Sequence, residues 1–103
     1  MRHFLVNVFY NRQFAEAQRQ AKSGGAPLPE SHEKIRVEHV ACVENLAAQG
    51  TVLCAGPLLN GEGGMFVLAV ESEEAARGLM EVEPYVVHGI FERYELIEFE
   101  RHQ

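Results

Sequence analysis

The sequence contains no apolar run that approaches the roughly 20 residues of a membrane-spanning helix, and it has no cluster of Lys or Arg residues. Its 9 basic and 15 acidic residues give a formal net charge of −6. Because nucleic-acid binding requires a concentrated basic face, the sequence argues against a nucleic-acid partner as well as against a membrane. The N-terminus also lacks the apolar core and cleavage site of a signal peptide, so we expect a cytoplasmic location.

Cysteine and metal-ligand motifs are scarce too. The two cysteines lie at positions 42 and 54, too far apart for a CxxC motif, and the cytoplasm would keep them reduced. We interpret both as small buried side chains. None of the five histidines forms an HxH or HxxxH pair, and the spacing of seven between His32 and His39 is unusual for metal ligands. We therefore expect neither a metal nor a cofactor.

The length of 103 residues predicts a single domain, residues 1–103, with four strands. Aromatic and β-branched runs between turn residues place these strands at 3–10, 51–59, 65–70 and 90–99. The polar segment 11–31, rich in Gly and Pro, predicts a short helix at 14–21 and an irregular crossing. We expect this segment to be more mobile than the rest and to act as a lid over the next helix.

Two longer helices follow from capping and stop signals. The first is predicted from a Ser31 cap to Gln49, just before Gly50. The second is predicted to begin after a Ser72 cap. It should end near residue 82, because Pro84 disfavours helical geometry in the residue before it. The resulting order, β-α-β-β-α-β, is that of the ferredoxin-like α+β fold, with one antiparallel four-stranded sheet and two helices on a single face.

The predicted strands are apolar on both faces. In the first strand Val6 and Val8 point to one side of the sheet, whereas Leu5 and Phe9 point to the other. A sheet covered by helices on one side should instead alternate apolar and polar residues. Because soluble monomers rarely expose a large apolar patch, we expect the second face to meet another subunit in a homodimer.

Two basic side chains interrupt the apolar face of the first long helix. At about 100° per residue, Val40, Val43 and Leu46 mark this face, and Arg36 and His39 fall inside it. Both need partners, since a buried unpaired charge costs several kcal/mol. One interpretation is a pocket under the helix, with His39 as acid/base and Arg36 as anion anchor. The alternative is that both hold the helix to the sheet edge.

Glu83 lies at the junction between the second long helix and the last strand, directly before Pro84 and Tyr85. In a functional interpretation its carboxylate orients His39 or accepts a proton. In a structural interpretation it is a polar residue in a turn that ends the helix. The local sequence alone leaves both open.

In their order and spacing, these features resemble the YCII-related (YciI-like) family over nearly the whole chain. The matching segments are the first apolar strand, Arg36-x-x-His39-Val40, Gly50, Ala55-Gly56-Pro57, Ser72-Glu-Glu-Ala-Ala76, Glu83-Pro84-Tyr85 and Gly89. The resemblance implies a dimeric α+β barrel related to muconolactone isomerase, in which two four-stranded sheets close around an interior pocket. This expectation agrees with strands that are apolar on both faces.

The resemblance further implies a histidine, matched by His39, that works with acidic partners. The family often has an Asp after the first strand and an Asp-Pro at the second junction, where this chain has Asn11 and Glu83. Asn11 carries no charge, whereas Glu83 keeps the negative charge of the family's Asp on a longer side chain. The candidate catalytic residues are therefore His39, Glu83 and Asn11, and the candidate substrate-binding residues are Arg36 and Tyr85.

Two functions are compatible with these residues. The first is a lyase or isomerase that moves a proton on a small oxygenated, ring-like or anionic molecule without a cofactor. The second is a non-catalytic dimeric module that binds a small ligand or serves as an accessory domain. The first function requires an interior cavity that the side chains of His39 and Arg36 can reach.

Overall fold

Four strands and four helices form the fold, and the computed structural model describes all 103 residues. The elements are β1 (Arg2–Tyr10), α1 (Arg12–Lys22), α2 (Glu30–Ala48), β2 (Val52–Pro57), β3 (Gly63–Val70), α3 (Glu73–Val82), α4 (Pro84–Val87) and β4 (Phe91–Phe99). None of the helices is both long and apolar enough to cross a membrane.

The strands form one antiparallel sheet in the order β2-β3-β1-β4. Strand β1 is central and pairs with β3 from Arg2↔Val70 to Phe9↔Gly63, while its other edge pairs with β4. This order confirms the predicted ferredoxin-like fold. The aromatic and β-branched residues of β1 suit its central place because they pack well on a pleated surface.

One face of the sheet, here called the core face, carries the hydrophobic core. The side chains of Phe4, Val6 and Val8 on β1 are 0–1% exposed and pack with Leu68 of β3. Helices α2 and α3 both pack on this face, as predicted, and Met80 of α3 belongs to the same buried cluster. The core face therefore has helices above it along much of its length.

The opposite face of the sheet, here called the outer face, has no helix over it. Leu5 of β1 is only partly buried, and Ile97 and Phe99 of β4 are 47% and 36% exposed. Phe9 is covered by Arg93, whose guanidinium carbon lies 3.7 Å from the ring centroid. The apolar second face that the sequence indicated is thus exposed in the single chain.

The structure corrects several details of the prediction. Helix α2 begins at Glu30 rather than after a Ser31 cap, because the Pro29 carbonyl already accepts from the backbone N–H of His32 and Glu33. Strand β2 ends at Pro57, two residues earlier than predicted. The four-residue helix α4 is an element that the sequence pattern does not indicate.

The interpretation of both cysteines as buried is also wrong. Cys42 is partly buried, and Cys54 is exposed on the sheet-edge strand β2, opposite Val67 of the outer face. Burial, assisted by the nearby Glu83 charge, raises the pKa of the Cys42 thiol. A thiol of this kind stays protonated and is a poor nucleophile.

Candidate functional site

A cavity of ≈ 690 Å³ lies between the core face of the sheet and helix α2. Helix α2 contributes Arg36, His39 and Val40 to its lining, and α4 contributes Tyr85. The rest of the wall comes from α1 with its following connection and from the ends of the strands. The predicted pocket under the long helix is therefore present, within one chain and on the helix-covered side of the sheet.

His39, in the wall of this cavity, pairs with Glu83, a buried residue that does not itself line the cavity. The Nδ1 atom of His39 contacts Oε1 of Glu83, and Glu83 is only 2% exposed. A buried carboxylate next to imidazole makes Nδ1 the donor and fixes the tautomer of the ring. The other nitrogen, Nε2, has no partner in the chain and is not enclosed, so a ligand in the cavity can reach it.

Glu83 also caps the start of helix α4. Its Oε2 atom accepts from the backbone N–H of Tyr85 at 2.9 Å and of Val86 at 3.3 Å, which makes Glu83 the N-cap of α4. Pro84 occupies the first helical position, where its missing N–H costs nothing. The carboxylate therefore has partners at both oxygens, as a buried charge requires.

Aromatic rings surround the His39 imidazole. The Tyr85 ring stacks on it with centroids 3.9 Å apart and planes 4° from parallel. The rings of Phe91 and Phe66 meet it edge-on at 5.8 and 6.3 Å. These contacts hold the imidazole in one orientation, as an acid/base in a preorganised site requires.

The cavity also contains two phenols. Burial, with a smaller contribution from the Tyr10 phenol, raises the pKa of Tyr85 to about 12. Burial likewise raises the pKa of Tyr10, and a hydrogen bond with the Gln18 side chain lowers it by a smaller amount. Both hydroxyls are therefore neutral at physiological pH and available as hydrogen-bond donors.

Arg36 lies at the rim of the cavity, where its side chain is 55% exposed. Its Nη1 atom is 4.0 Å from Oε2 of Glu33, one helical turn away on α2. The guanidinium thus reaches the cavity, but a neighbouring carboxylate already balances much of its charge. Lys22 of α1 and Glu44 of α2 add one further charge of each sign to the lining.

Asn11 occupies a different position from the other candidates. Its Oδ1 accepts from the backbone N–H of Phe14 at 2.7 Å and caps α1, while its Nδ2 donates to the Gly89 carbonyl at 2.8 Å. Both hydrogen bonds go to backbone groups, and neither involves His39. The structure therefore brings together His39, Glu83, Tyr85 and Arg36, and it leaves Asn11 at the junction of β1 and α1.

The remaining histidines lie outside the cavity. The His32 ring packs on Phe14 with centroids 5.3 Å apart, and its Nδ1 is buried without a partner. Nε2 of His88 lies 3.9 Å from Glu38 on the surface. No group of three or more His, Cys, Asp and Glu side chains is arranged to hold a metal ion.

Tyr10 and Gln18 belong to this site as well, although the sequence patterns do not mark them as functional. Tyr10 continues the apolar alternation of β1, which is typical of core residues, yet it lines the cavity. Gln18 lies in the polar segment whose pattern is the weakest in the chain. The phenol at the end of an apolar strand was the available signal, because a buried hydroxyl needs a partner.

Comparison with known proteins identifies the family and the fold of this chain. The YCII-related domain profile matches residues 8–100. A solved structure, 5-chloro-2-hydroxyhydroquinone dehydrochlorinase (TftG) from Burkholderia phenoliruptrix AC1100 in complex with 2,5-dihydroxybenzoquinone, superposes with a TM-score of 0.62. It is 17% identical in sequence, and the match covers 98% of this chain and 93% of that one. Curated proteins give no match.

At 17% identity the likeness to the dehydrochlorinase establishes the shared fold. The profile match covers most of the chain and includes His39, Glu83 and Tyr85. The protein belongs to the YCII-related family.

Proposed function

We propose that this protein is a lyase or isomerase that moves a proton on a small oxygenated ring, with His39 as the acid/base. The observation that carries the proposal is the pairing of His39 Nδ1 with the buried Glu83 carboxylate, which leaves Nε2 free at the cavity wall. The structural likeness to a dehydrochlorinase, whose name describes an elimination, supports the same class of chemistry.

The proposed step begins with a neutral imidazole. Nε2 takes a proton from a carbon or hydroxyl of the ring, and the bonding pair moves into the ring system. The imidazolium that forms is stabilised by the Glu83 charge beside Nδ1. The same nitrogen then returns the proton at another position, which completes an isomerisation. Alternatively, the ring electrons expel a leaving group as its anion and the imidazolium releases its proton to solvent, which completes an elimination.

Arg36 has a supporting role in this proposal. Located at the rim and paired with Glu33, its guanidinium guides a ring with a partial or single negative charge. The aromatic and aliphatic walls formed by Phe66, Phe91 and Val40 suit a flat ring.

The assembly that accompanies this function is a homodimer, formed through the outer face. Leu5, Val67 and Ile97 line this face, and a second copy would remove them from water at about 25 cal/mol per Å². Sedimentation equilibrium at micromolar concentration tests the dimer. A stable monomer of 11.6 kDa would contradict it.

An alternative is a binding module without catalysis. It is favoured by the structural hydrogen bonds of Asn11 and by the Arg36–Glu33 pair, because these groups already have partners in the chain. Under this alternative the cavity binds the ring, and His39 holds α2 against α4.

Hydrogen exchange on a ligand separates the two functions. The protein would be incubated in D₂O with 2,5-dihydroxybenzoquinone, the compound bound by the dehydrochlorinase, and loss of the ring C–H signals followed by proton NMR. We expect exchange above the buffer rate with the parent protein, and its loss in His39→Gln.

His32→Gln is the matched control, because it makes the same chemical change on the same helix outside the cavity. A thermal shift by the ligand without catalysed exchange would instead establish the binding module, since a ligand stabilises any protein that binds it in the folded state.

A further inference from the structure

Two tyrosines from different elements share one corner of the cavity. Tyr10 is the last residue of β1, and Tyr85 belongs to α4. Both rings pack on Phe14, with centroid distances of 4.9 and 5.7 Å, and on Phe91, at 5.7 and 5.1 Å. Both residues also line the cavity, and the Tyr10 phenol contributes to the raised pKa of Tyr85.

The Tyr85 hydroxyl has no protein partner. The residue is only 5% exposed, its backbone N–H bonds Glu83, and no hydrogen bond is made by its hydroxyl. This oxygen is not among the enclosed polar atoms either, so it opens into the cavity that the residue lines. Its O–H is therefore free to donate a hydrogen bond to a ligand oxygen in the cavity.

Because Tyr85 stacks on His39, a ligand oxygen bound to this hydroxyl also lies next to the acid/base. The ring centroids are 3.9 Å apart, the rings are nearly parallel, and both residues line the same cavity. Neutral phenols bind an oxygen that gains negative charge more strongly than one that stays neutral, since hydrogen bonds to charged groups are roughly twice as strong. Donors fixed in a cavity wall do so without reorganisation.

We propose that the hydroxyls of Tyr10 and Tyr85 form an oxyanion-binding pair, and that the substrates are rings that become enolates or phenolates. This inference rests on the proposed function, because His39 must take the proton whose loss creates the charge. When Nε2 removes a proton from a ring carbon or hydroxyl, the bonding pair is delocalised onto the ring oxygen. The two phenols donate hydrogen bonds to that oxygen, and both keep their own protons.

The test uses 4-nitrophenol, whose neutral and ionised forms differ in visible absorption. Its affinity and the apparent pKa of the bound molecule would be measured in the parent, in Tyr85→Phe and in Tyr10→Phe. We expect the parent to lower the pKa of the bound phenol below that of the free compound. Each variant should weaken binding of the phenolate about tenfold, the effect of losing one hydrogen bond to a charged oxygen.

Tyr94→Phe is the matched control, because Tyr94 packs against the core without lining the cavity. It should leave the affinity and the pKa of the bound phenol unchanged. Equal affinities and equal pKa values in the parent, Tyr85→Phe and Tyr10→Phe would overturn the oxyanion pair. Absence of any 4-nitrophenol binding to the folded parent would overturn it as well.

Two sets of variants distinguish this inference from the function on which it rests. Loss of ligand C–H exchange in His39→Gln, with normal nitrophenol binding in both tyrosine variants, removes the oxyanion pair and leaves the function standing. Normal exchange in His39→Gln overturns the function, and with it the substrate class inferred from the phenols.

Discussion

Helices α2 and α3 lie on the same face of the sheet, but they contribute differently to the molecule. Helix α3 has ten residues and buries Ala76 and Met80 to 0% and 2% exposure. Helix α2 has 19 residues and buries none of them completely. The shorter helix is anchored in the core by fully buried side chains, whereas the longer one packs only partly buried side chains against the core and also lines the cavity.

The difference shows that an apolar helix face has two uses. On α3 it fills space between helix and sheet, and the result is stability. On α2 residues such as Val40 and Val43 line an open volume, where their burial is left for a ligand to complete. Stability and ligand binding are thus assigned to different helices, and substitutions in each helix test that division.

The largest effect is expected from Met80→Ala on α3. Removing a fully buried side chain creates a cavity and loses its transfer free energy, so the free energy of unfolding should fall by about 2–5 kcal/mol. A urea titration monitored by circular dichroism measures the change. A loss below about 1 kcal/mol would mean that α3 does not anchor the core.

Next in size is Glu83→Ala, which affects the region where α2 meets α4. The variant removes the cap of α4 and the partner of His39 together, and we expect a loss of about 2–3 kcal/mol. Glu83→Gln is the control, because it keeps the size of the side chain while removing the charge. If both variants unfold like the parent, the carboxylate contributes nothing to holding the two helices together.

The third effect depends on pH and concerns Tyr85, a residue that lines the cavity. The phenol of Tyr85 has a pKa of about 12 in the folded protein, against an ordinary value of 10.0 in the unfolded chain. Above pH 10 the unfolded chain therefore releases a proton that the folded protein retains. Stability is fully present below pH 10 and is lost between about pH 10 and 12, by about 1–2 kcal/mol.

Tyr85→Phe should flatten this alkaline slope, measured as urea midpoints across the pH range. Tyr94→Phe serves as the control for the general effect of alkali. A slope that is unchanged in Tyr85→Phe would show that this phenol does not set it.

The smallest effect on stability is expected from Val40→Ala on α2. Val40 lines the cavity and is already 36% exposed, so its truncation should cost less than about 1 kcal/mol. Ligand affinity should nevertheless fall, because the ring loses part of its apolar wall. A thermal-shift titration beside Met80→Ala measures both; a stability loss as large as that of Met80→Ala would contradict the comparison of the helices.

The sequence was sufficient to predict the sheet and helix α3. Alternating aromatic and β-branched residues located β1 and β3, and Ser72 accepts from the Ala75 backbone N–H as a cap should. These features depend on neighbours along the chain. The fold could therefore be predicted from local patterns and the order of the elements.

The cavity depended on contacts between distant residues. Helix α4 forms because the Glu83 side chain caps it, whereas in the sequence Pro84 indicated only the end of the preceding helix. Placing His39, 44 positions away in the sequence, beside Glu83 required the three-dimensional structure. Tyr85 was already a candidate from the Glu83-Pro84-Tyr85 motif, whereas Tyr10 was missed, since a strand residue at the end of an apolar run looks like core.

The shared carboxylate of Glu83 also provides a built-in reporter for the site. One oxygen contacts His39 and the other accepts from the backbone N–H of Tyr85 and Val86. Any gain or loss of a proton in the pair changes the field at these two amides. Their nitrogen and proton resonances should therefore follow the ionisation of the site with or without a bound ligand, before any substrate has been identified.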